Sequence, residues 1–225
     1  MTQFSSPLPS ILLTVDVVIF TVAFGTLQVL VVRRDVEPFA GKWALPGGYL
    51  QENEQSIEAA KRILLDKAGV RNVYIEQLYT FDGIDRDPRG RHVSVVYFTL
   101  VPEAELNLAA SDLTAGPKLI DVTGASDLAF DHTRMVEYAR ARLQSKLEYT
   151  NVVYSLLPNR FTMAALQSSY EAILGRTVDK RNFQKKYASL GLIEPTDEYT
   201  QGQKHRPARL YTFRDHVPTE LKRFF

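Results

Sequence analysis

The sequence predicts a layered α/β domain over residues 1–150, followed by a smaller helical domain with a basic hairpin over residues 151–225. Three observations carry that expectation. The first part alternates short β-branched runs with two amphipathic helical patterns, the texture of a sheet covered by helices. The second part turns to closely spaced helical stripes that end at Pro and Gly. Charge divides at the same place. Residues 1–150 hold 15 Lys and Arg against 19 Asp and Glu, a net −4, whereas residues 151–225 hold 12 against 7, a net +5. An acidic body with a basic appendage is the distribution expected when one part meets a polyanion.

Composition sets the outer limits. With 225 residues and 45% hydrophobic side chains there is enough apolar material for a real core. The absence of cysteine excludes a disulfide framework and a thiolate zinc site, and fits a reducing, cytoplasmic setting. The longest apolar run, residues 11–24, is interrupted by Asp16 and rich in β-branched residues, so it reads as a strand rather than a signal or membrane segment. No membrane partner is expected.

In chain order, residues 10–34 read as two strands joined near Gly25. Ile11, Leu13, Val15 and Val17 alternate in the first, and Leu27, Val29 and Val31 repeat the pattern in the second. A helix follows, with Ile57, Ala60, Leu64 and Ala68 as its core stripe and Gly69 as its stop. Further strands are expected at residues 73–81, 92–101 and 119–122. A second helix is expected over residues 132–149, on Met135, Val136, Ala139 and Leu143.

Beyond residue 150, Val152, Val153, Leu156 and Leu157 suggest a short helix stopped by Pro158-Asn159. Leu166, Tyr170, Ile173 and Leu174 suggest a second, ended by Gly175. A third is expected to start at Thr177, a good N-cap residue, and to end at Gly191. Two strands, residues 192–194 and 209–213, then flank a loop over residues 201–207. Three helices followed by a basic hairpin outline a winged helix-turn-helix.

In the third helix Phe183, Tyr187 and Leu190 form one buried stripe. At 100° per residue, Arg181 and Lys185 lie about 160° away, and Lys180, Asn182, Gln184 and Lys186 lie on the flanks. Such a helix can seat its apolar stripe and push a basic, amide-bearing face into a major groove, where Arg and Lys read guanine and Asn or Gln read adenine. A charged helix face is ordinarily just solvated. Here the helix order and the wing residues Lys204, His205, Arg206 and Arg209 favour double-stranded DNA as the partner. Thr177 and the residues just named are the candidate DNA contacts.

The first helix carries a motif. Trp43-Ala44-Leu45-Pro46-Gly47-Gly48 leads into Gly48, Glu54, Arg62, Leu64, Gly69 and Val70, which fall on the frame of the Nudix box. That family continues after the Arg as Glu-apolar-x-Glu-Glu-x-Gly-apolar, so that three carboxylates share one helix face and hold hard divalent cations. In this chain those positions are Ile63, Asp66 and Lys67. An ammonium where a metal belongs removes the scaffold for metal-assisted hydrolysis. The sequence therefore predicts binding without catalysis, with no metal and no cofactor.

Asp87-Pro88-Arg89-Gly90-Arg91-His92-Val93, together with Phe130-Asp131-His132 at the head of the long helix, is similar to the ADP-ribose-handling branch of the Nudix superfamily. With the winged helix attached, the chain resembles the NrtR family, the Nudix-related transcriptional regulators of NAD metabolism. The resemblance spans residues 8–215, and its specificity lies in the combination of domains.

It implies an α/β (α+β) Nudix sandwich with a C-terminal winged helix-turn-helix domain. It also implies a homodimeric repressor of NAD-biosynthesis genes that leaves its operator when ADP-ribose occupies the Nudix domain. Under that reading Arg33, Arg34, Lys67, Arg89 and Arg91 neutralise the diphosphate, and the Gly47-Gly48 backbone approaches it closely. Trp43, Tyr79 or Phe81 stacks on adenine. Two other classes stay open: an ADP-ribose pyrophosphatase recruiting Glu52, Glu54 and Glu58 as substitute carboxylates, and an adaptor whose winged domain contacts protein.

Overall fold

The computed structural model describes residues 10–108, 116–201 and 207–221. At its centre is β1 (Leu12–Ala23). It pairs antiparallel with β2 (Thr26–Arg33) and parallel with β6 (His92–Leu100). Five strands follow the order β3-β2-β1-β6-β5, with β3 at Trp43–Ala44 and β5 at Ile75–Phe81. Off this path, β4 (Gly47–Tyr49) pairs with β1, and β7 (Lys118–Asp121) pairs with β2.

The alternation in β1 is what makes the domain layered, because successive side chains leave opposite faces of a strand. Val15, Val17 and Ile19 pack with Leu30 against Ala59, Ala60, Ile63 and Leu64 of α1 (Ser56–Ala68). Val18 and Phe20 join Leu27, Val29 and Val31 on the other face, where α2 (His132–Lys146) supplies Met135, Val136, Ala139 and Leu143. α1 starts with a reciprocal capping box between Gln55 and Glu58. It stops at Gly69, whose φ of 68° lets its N–H reach back to Leu64 and Leu65.

The second domain contains α3 (Met163–Leu174), α4 (Lys180–Ser189) and a three-stranded sheet ordered β8-β10-β9. β8 is Phe161–Thr162, β9 Ile193–Tyr199 and β10 Arg209–Phe213. Two expectations need correction. Val152–Leu156 is a single 3-10 stretch rather than an α-helix, in keeping with two adjacent β-branched residues and a proline just beyond. The third helix begins at Lys180, not Thr177. Asp179 takes the cap instead, its carboxylate accepting from Asn182 N at 2.8 Å, while Thr177 is exposed before the helix.

The junction is not a loose tether. Thr150 and Asn151 are buried, and Asn151 grips the C-terminal segment at both ends of its amide: Nδ2 donates to Val217 O at 3.2 Å, and Oδ1 accepts from Thr219 N at 2.7 Å. Val152, Val153, Leu166, Tyr170 and Ile173 belong to the same buried cluster as α2 and the sheet. Gln144 Nε2 of α2 donates to Ile173 O at the end of α3, at 2.9 Å. Among the described residues no helix is long and apolar enough to cross a membrane.

Candidate ligand cleft and nucleic-acid interface

A cleft of about 460 Å³ opens where β1, β4, the end of β2, the C-terminal turn of α1 and the start of α2 meet. That is within the ~300–1,000 Å³ of small-molecule sites. Arg33, Arg34, Gly47, Gly48, Lys67 and Arg89 line it, so six of the residues proposed from the sequence share one wall-to-wall space. Asp66 lines it too. Ile63 does not, being buried against Val15, Val17 and Ile19 in the core.

The structure sends four of the proposed residues elsewhere. Trp43 packs against the core from β3, with the Lys118 ammonium 5.5 Å from its ring centroid. Tyr79 and Phe81 form an aromatic cluster with Tyr138 of α2, their rings 5.6 Å apart, on the strand at the far end of the sheet from β3. A bulge between Gln77 and Tyr79 breaks the alternation of β5 and leaves Tyr79 exposed. Arg91 turns back on its own loop and donates to the carbonyls of Asp82 and Gly83.

In the place of those aromatics stands Phe130. It has φ of 56°, an uncommon conformation for a bulky residue. The Arg34 guanidinium lies 4.7 Å and the Arg89 guanidinium 5.4 Å from its ring centroid. Burial and the neighbouring charge of Arg89 both lower the pKa of Arg34. Two cations drawn toward one ring leave positive potential for an anion. Arg89 is in turn fixed by Asp87, with Nη2 to Oδ2 at 2.6 Å, and that hydrogen bond raises its pKa.

The floor of the cleft is a buried polar network that the sequence did not announce. Asp16 Oδ2 accepts from Ser94 Oγ at 2.5 Å, and Asp16 Oδ1 lies 3.7 Å from His132 Nε2. His132 Nδ1 accepts from Leu45 N at 2.9 Å, so in the neutral ring the proton sits on Nε2, facing Asp16. Burial pushes the His132 pKa down, against the pull of Asp16 and Asp131 in the other direction. Arg86 completes the group, with Nη2 3.9 Å from Asp16 Oδ2. Gly47 is required here because a Cβ would sit 1.9 Å from Asp16 Oδ1.

The Nudix frame persists as scaffolding. Glu54 receives Arg62 Nη2 at 2.6 Å and Nε at 3.0 Å, and this hydrogen bonding lowers the Glu54 pKa. Arg62 also reaches Tyr49 O at 3.3 Å, tying α1 to β4. Two of the three substitute carboxylates are thereby committed, Glu54 to Arg62 and Glu58 to the capping box, while Glu52 is exposed. Among the described residues, no three of His, Cys, Asp or Glu are arranged to hold a metal.

In α4, Phe183 and Tyr187 are buried against Tyr170 of α3, with ring centroids 5.2 and 5.8 Å away. Lys180, Arg181, Asn182, Lys185 and Lys186 are exposed, and Gln184 is half-buried. Arg209 is held within the hairpin, its Nε donating to Thr196 O at 2.8 Å. Lys204, His205 and Arg206 lie outside the described residues.

Residues 153–213 match a family model described as the NrtR DNA-binding winged helix domain, and residues 12–139 match the NUDIX domain. The chain is 39% identical over 212 residues to the ADPR responsive transcriptional repressor NtrR of Acinetobacter baylyi, covering 92% of this chain and 84% of that protein. Shewanella oneidensis NrtR complexed with a 27mer DNA superposes with TM-score 0.81 at 34% identity, over 90% of this chain and 93% of that one. The NUDIX domain of the same Shewanella protein, complexed with ADP ribose, gives TM-score 0.56 at 36% identity, over 64% of this chain and 99% of that one.

Proposed function

The chain belongs to the NrtR family of Nudix-related transcriptional regulators, and from that premise we propose that it is a DNA-binding repressor released by ADP-ribose. Residues 1–150 sense the ligand and residues 151–225 bind the operator. The family resemblance makes genes of NAD metabolism the targets, a homodimer the binding unit and the cytoplasm the setting. Two-fold proteins place paired recognition helices on half-sites separated by whole helical turns.

The observation that carries the reading is the joining, through one continuous core, of a cation-lined cleft to a winged domain whose recognition helix exposes a basic face. Arg33, Arg34, Lys67, Arg86 and Arg89 converge on a space that the Gly47-Gly48 backbone also borders. That is the chemistry of a diphosphate site. Phe130 and Tyr49 are aromatic surfaces beside it, and Phe130, under both Arg34 and Arg89, takes the role the sequence assigned to Trp43, Tyr79 or Phe81.

Binding proceeds without hydrolysis in this account. Ile63 is buried in the core, Lys67 brings an ammonium to the cleft, and Asp66 is the one carboxylate left of the three that the motif supplies. Lys67 then contacts phosphate directly where relatives with the full motif place a metal. No cofactor is needed for such contacts.

One incubation tests the whole reading: purified protein, ADP-ribose, Mg²⁺ and a fragment carrying the promoter, followed for mobility shift and for release of AMP. The expected result is a shifted fragment that ADP-ribose releases, with no AMP formed. Turnover of about one per second, an ordinary enzymatic rate, would make the chain a pyrophosphatase instead.

A further inference from the structure

Arg86 has a side chain 5% exposed, yet it borders the cleft. Its Nε and Nη2 donate to the two carboxylate oxygens of Asp131, at 3.1 and 2.9 Å. Asp131 is the N-cap residue of α2, and Asp is among the best capping residues, but its side chain makes no capping hydrogen bond. The carboxylate that would satisfy the first N–H groups of α2 is turned toward Arg86 instead. Asp131 thus has two alternative partners, a guanidinium in the cleft wall and the end of its own helix.

The other end of α2 lies against the winged domain. The helix is 15 residues, about 22 Å long at 1.5 Å per residue. Near its C-terminus Gln144 holds Ile173 O of α3, and Leu143 and Leu147 share a buried cluster with Leu166, Tyr170 and Ile173. Lys146 is paired at 2.7 Å with Glu76 of β5. A well-packed core moves as a unit rather than deforming continuously, so a shift at the start of α2 is felt at α3.

Building on the repressor reading above, we propose that Arg86 is the positioning residue that converts cleft occupancy into release of DNA. A diphosphate in the cleft competes with Asp131 for the Arg86 guanidinium. The freed Asp131 carboxylate turns to cap α2, and the helix re-seats against α3, displacing α4 from its half-site. The state with Arg86 paired to Asp131 is the one that binds DNA.

The test uses the full chain with Asp131→Asn, and Asp131→Ser as a second variant. Both replacements are strong caps, so the helix start is preserved while the charge that holds Arg86 is lost. Each variant and the wild type are measured for operator affinity without ligand, for ADP-ribose affinity without operator, and for the factor by which each weakens the other. Wild-type coupling is expected in the ordinary range of about 5–150-fold.

In the variants operator affinity falls, ADP-ribose affinity rises, and the coupling factor drops to less than about a third of wild type. Changes of opposite sign in the two affinities are what separate a released switch from simple structural damage. Unchanged coupling, or a parallel loss of both affinities, overturns the assignment of Arg86 and Asp131 while leaving the repressor reading intact. A wild type with no coupling at all overturns that reading, and this inference with it.

Discussion

The helix of the Nudix box and the recognition helix use their polar side chains in opposite ways. In α1, Arg62 is committed to Glu54 and Glu58 to the capping box, so the helix is tied into its own domain, and Asp66 and Lys67 are the charged side chains it brings to the cleft. In α4, one stripe of Phe183 and Tyr187 does the anchoring, and Lys180, Arg181, Asn182, Lys185 and Lys186 are exposed. A helix that holds a shape keeps the framework of its motif even where Ile63 and Lys67 stand at two of the three carboxylate positions. A helix built to meet a partner carries its basic side chains on an exposed face.

The largest effect expected from this contrast is on the anchor of α4. Phe183→Ala should destabilise the winged domain by about 3 to 5 kcal/mol, the usual cost of deleting a buried aromatic ring, and thermal unfolding would report it. Arg181→Ala and Lys185→Ala should leave unfolding unchanged but weaken operator binding by roughly 1 to 3 kcal/mol each if both read bases. Unaltered affinity in the double variant would remove this face from recognition.

Within α1 the expected effect is smaller. Lys67→Ala should weaken ADP-ribose by about 1 kcal/mol, near the upper range for an exposed charge. It should do so equally with and without operator, because in the proposed function Lys67 holds the diphosphate and takes no part in the Arg86–Asp131 pair. Calorimetry in the presence and absence of DNA measures both numbers.

The smallest effect concerns the cleft floor. His132 is kept neutral by burial, and Nδ1 must stay unprotonated to accept from Leu45 N. Its folded-state pKa is below the ordinary 6.5, so the unfolded chain binds the proton more readily. Stability from this group is therefore complete above pH ~6.5 and declines as the pH falls from there toward the folded-state value. His132→Gln should flatten the melting temperature between about pH 6.5 and pH 5, above the range where carboxylates titrate. An unchanged slope would relieve His132 of this role.

How much of this was legible in the chain depends on the distance over which each signal acts. Alternation in β1 and the stripe of Phe183 and Tyr187 are local periodicities, and both appear in the structure, although Ile11 and Leu13 of the alternating set are exposed and only Val15 and Val17 are buried. The box spacing brought Lys67, Gly47 and Gly48 to one cleft because a loop and one helix set it. Asp16, Arg86 and His132 meet only through sheet topology, with no local pattern to connect residues 16, 86 and 132.

Two misplacements had different causes. Tyr79 sits on β5 against Tyr138 of α2, at the far end of the sheet from β3, so strand order rather than a local pattern keeps it from the cleft. Thr177 and Asp179 are both capping types two positions apart, and the choice falls to Asp179, whose carboxylate reaches Asn182 N.

The central claim is that the cleft and the recognition helix belong to one two-state device. Titrating ADP-ribose calorimetrically into the free protein and into the operator-bound protein tests it most directly, since coupling between two sites must be reciprocal. The account predicts that operator weakens ADP-ribose binding by about 5- to 150-fold, and that ADP-ribose weakens operator binding by the same factor. Equal affinities in the two titrations would contradict it, because a ligand that binds both states alike shifts neither.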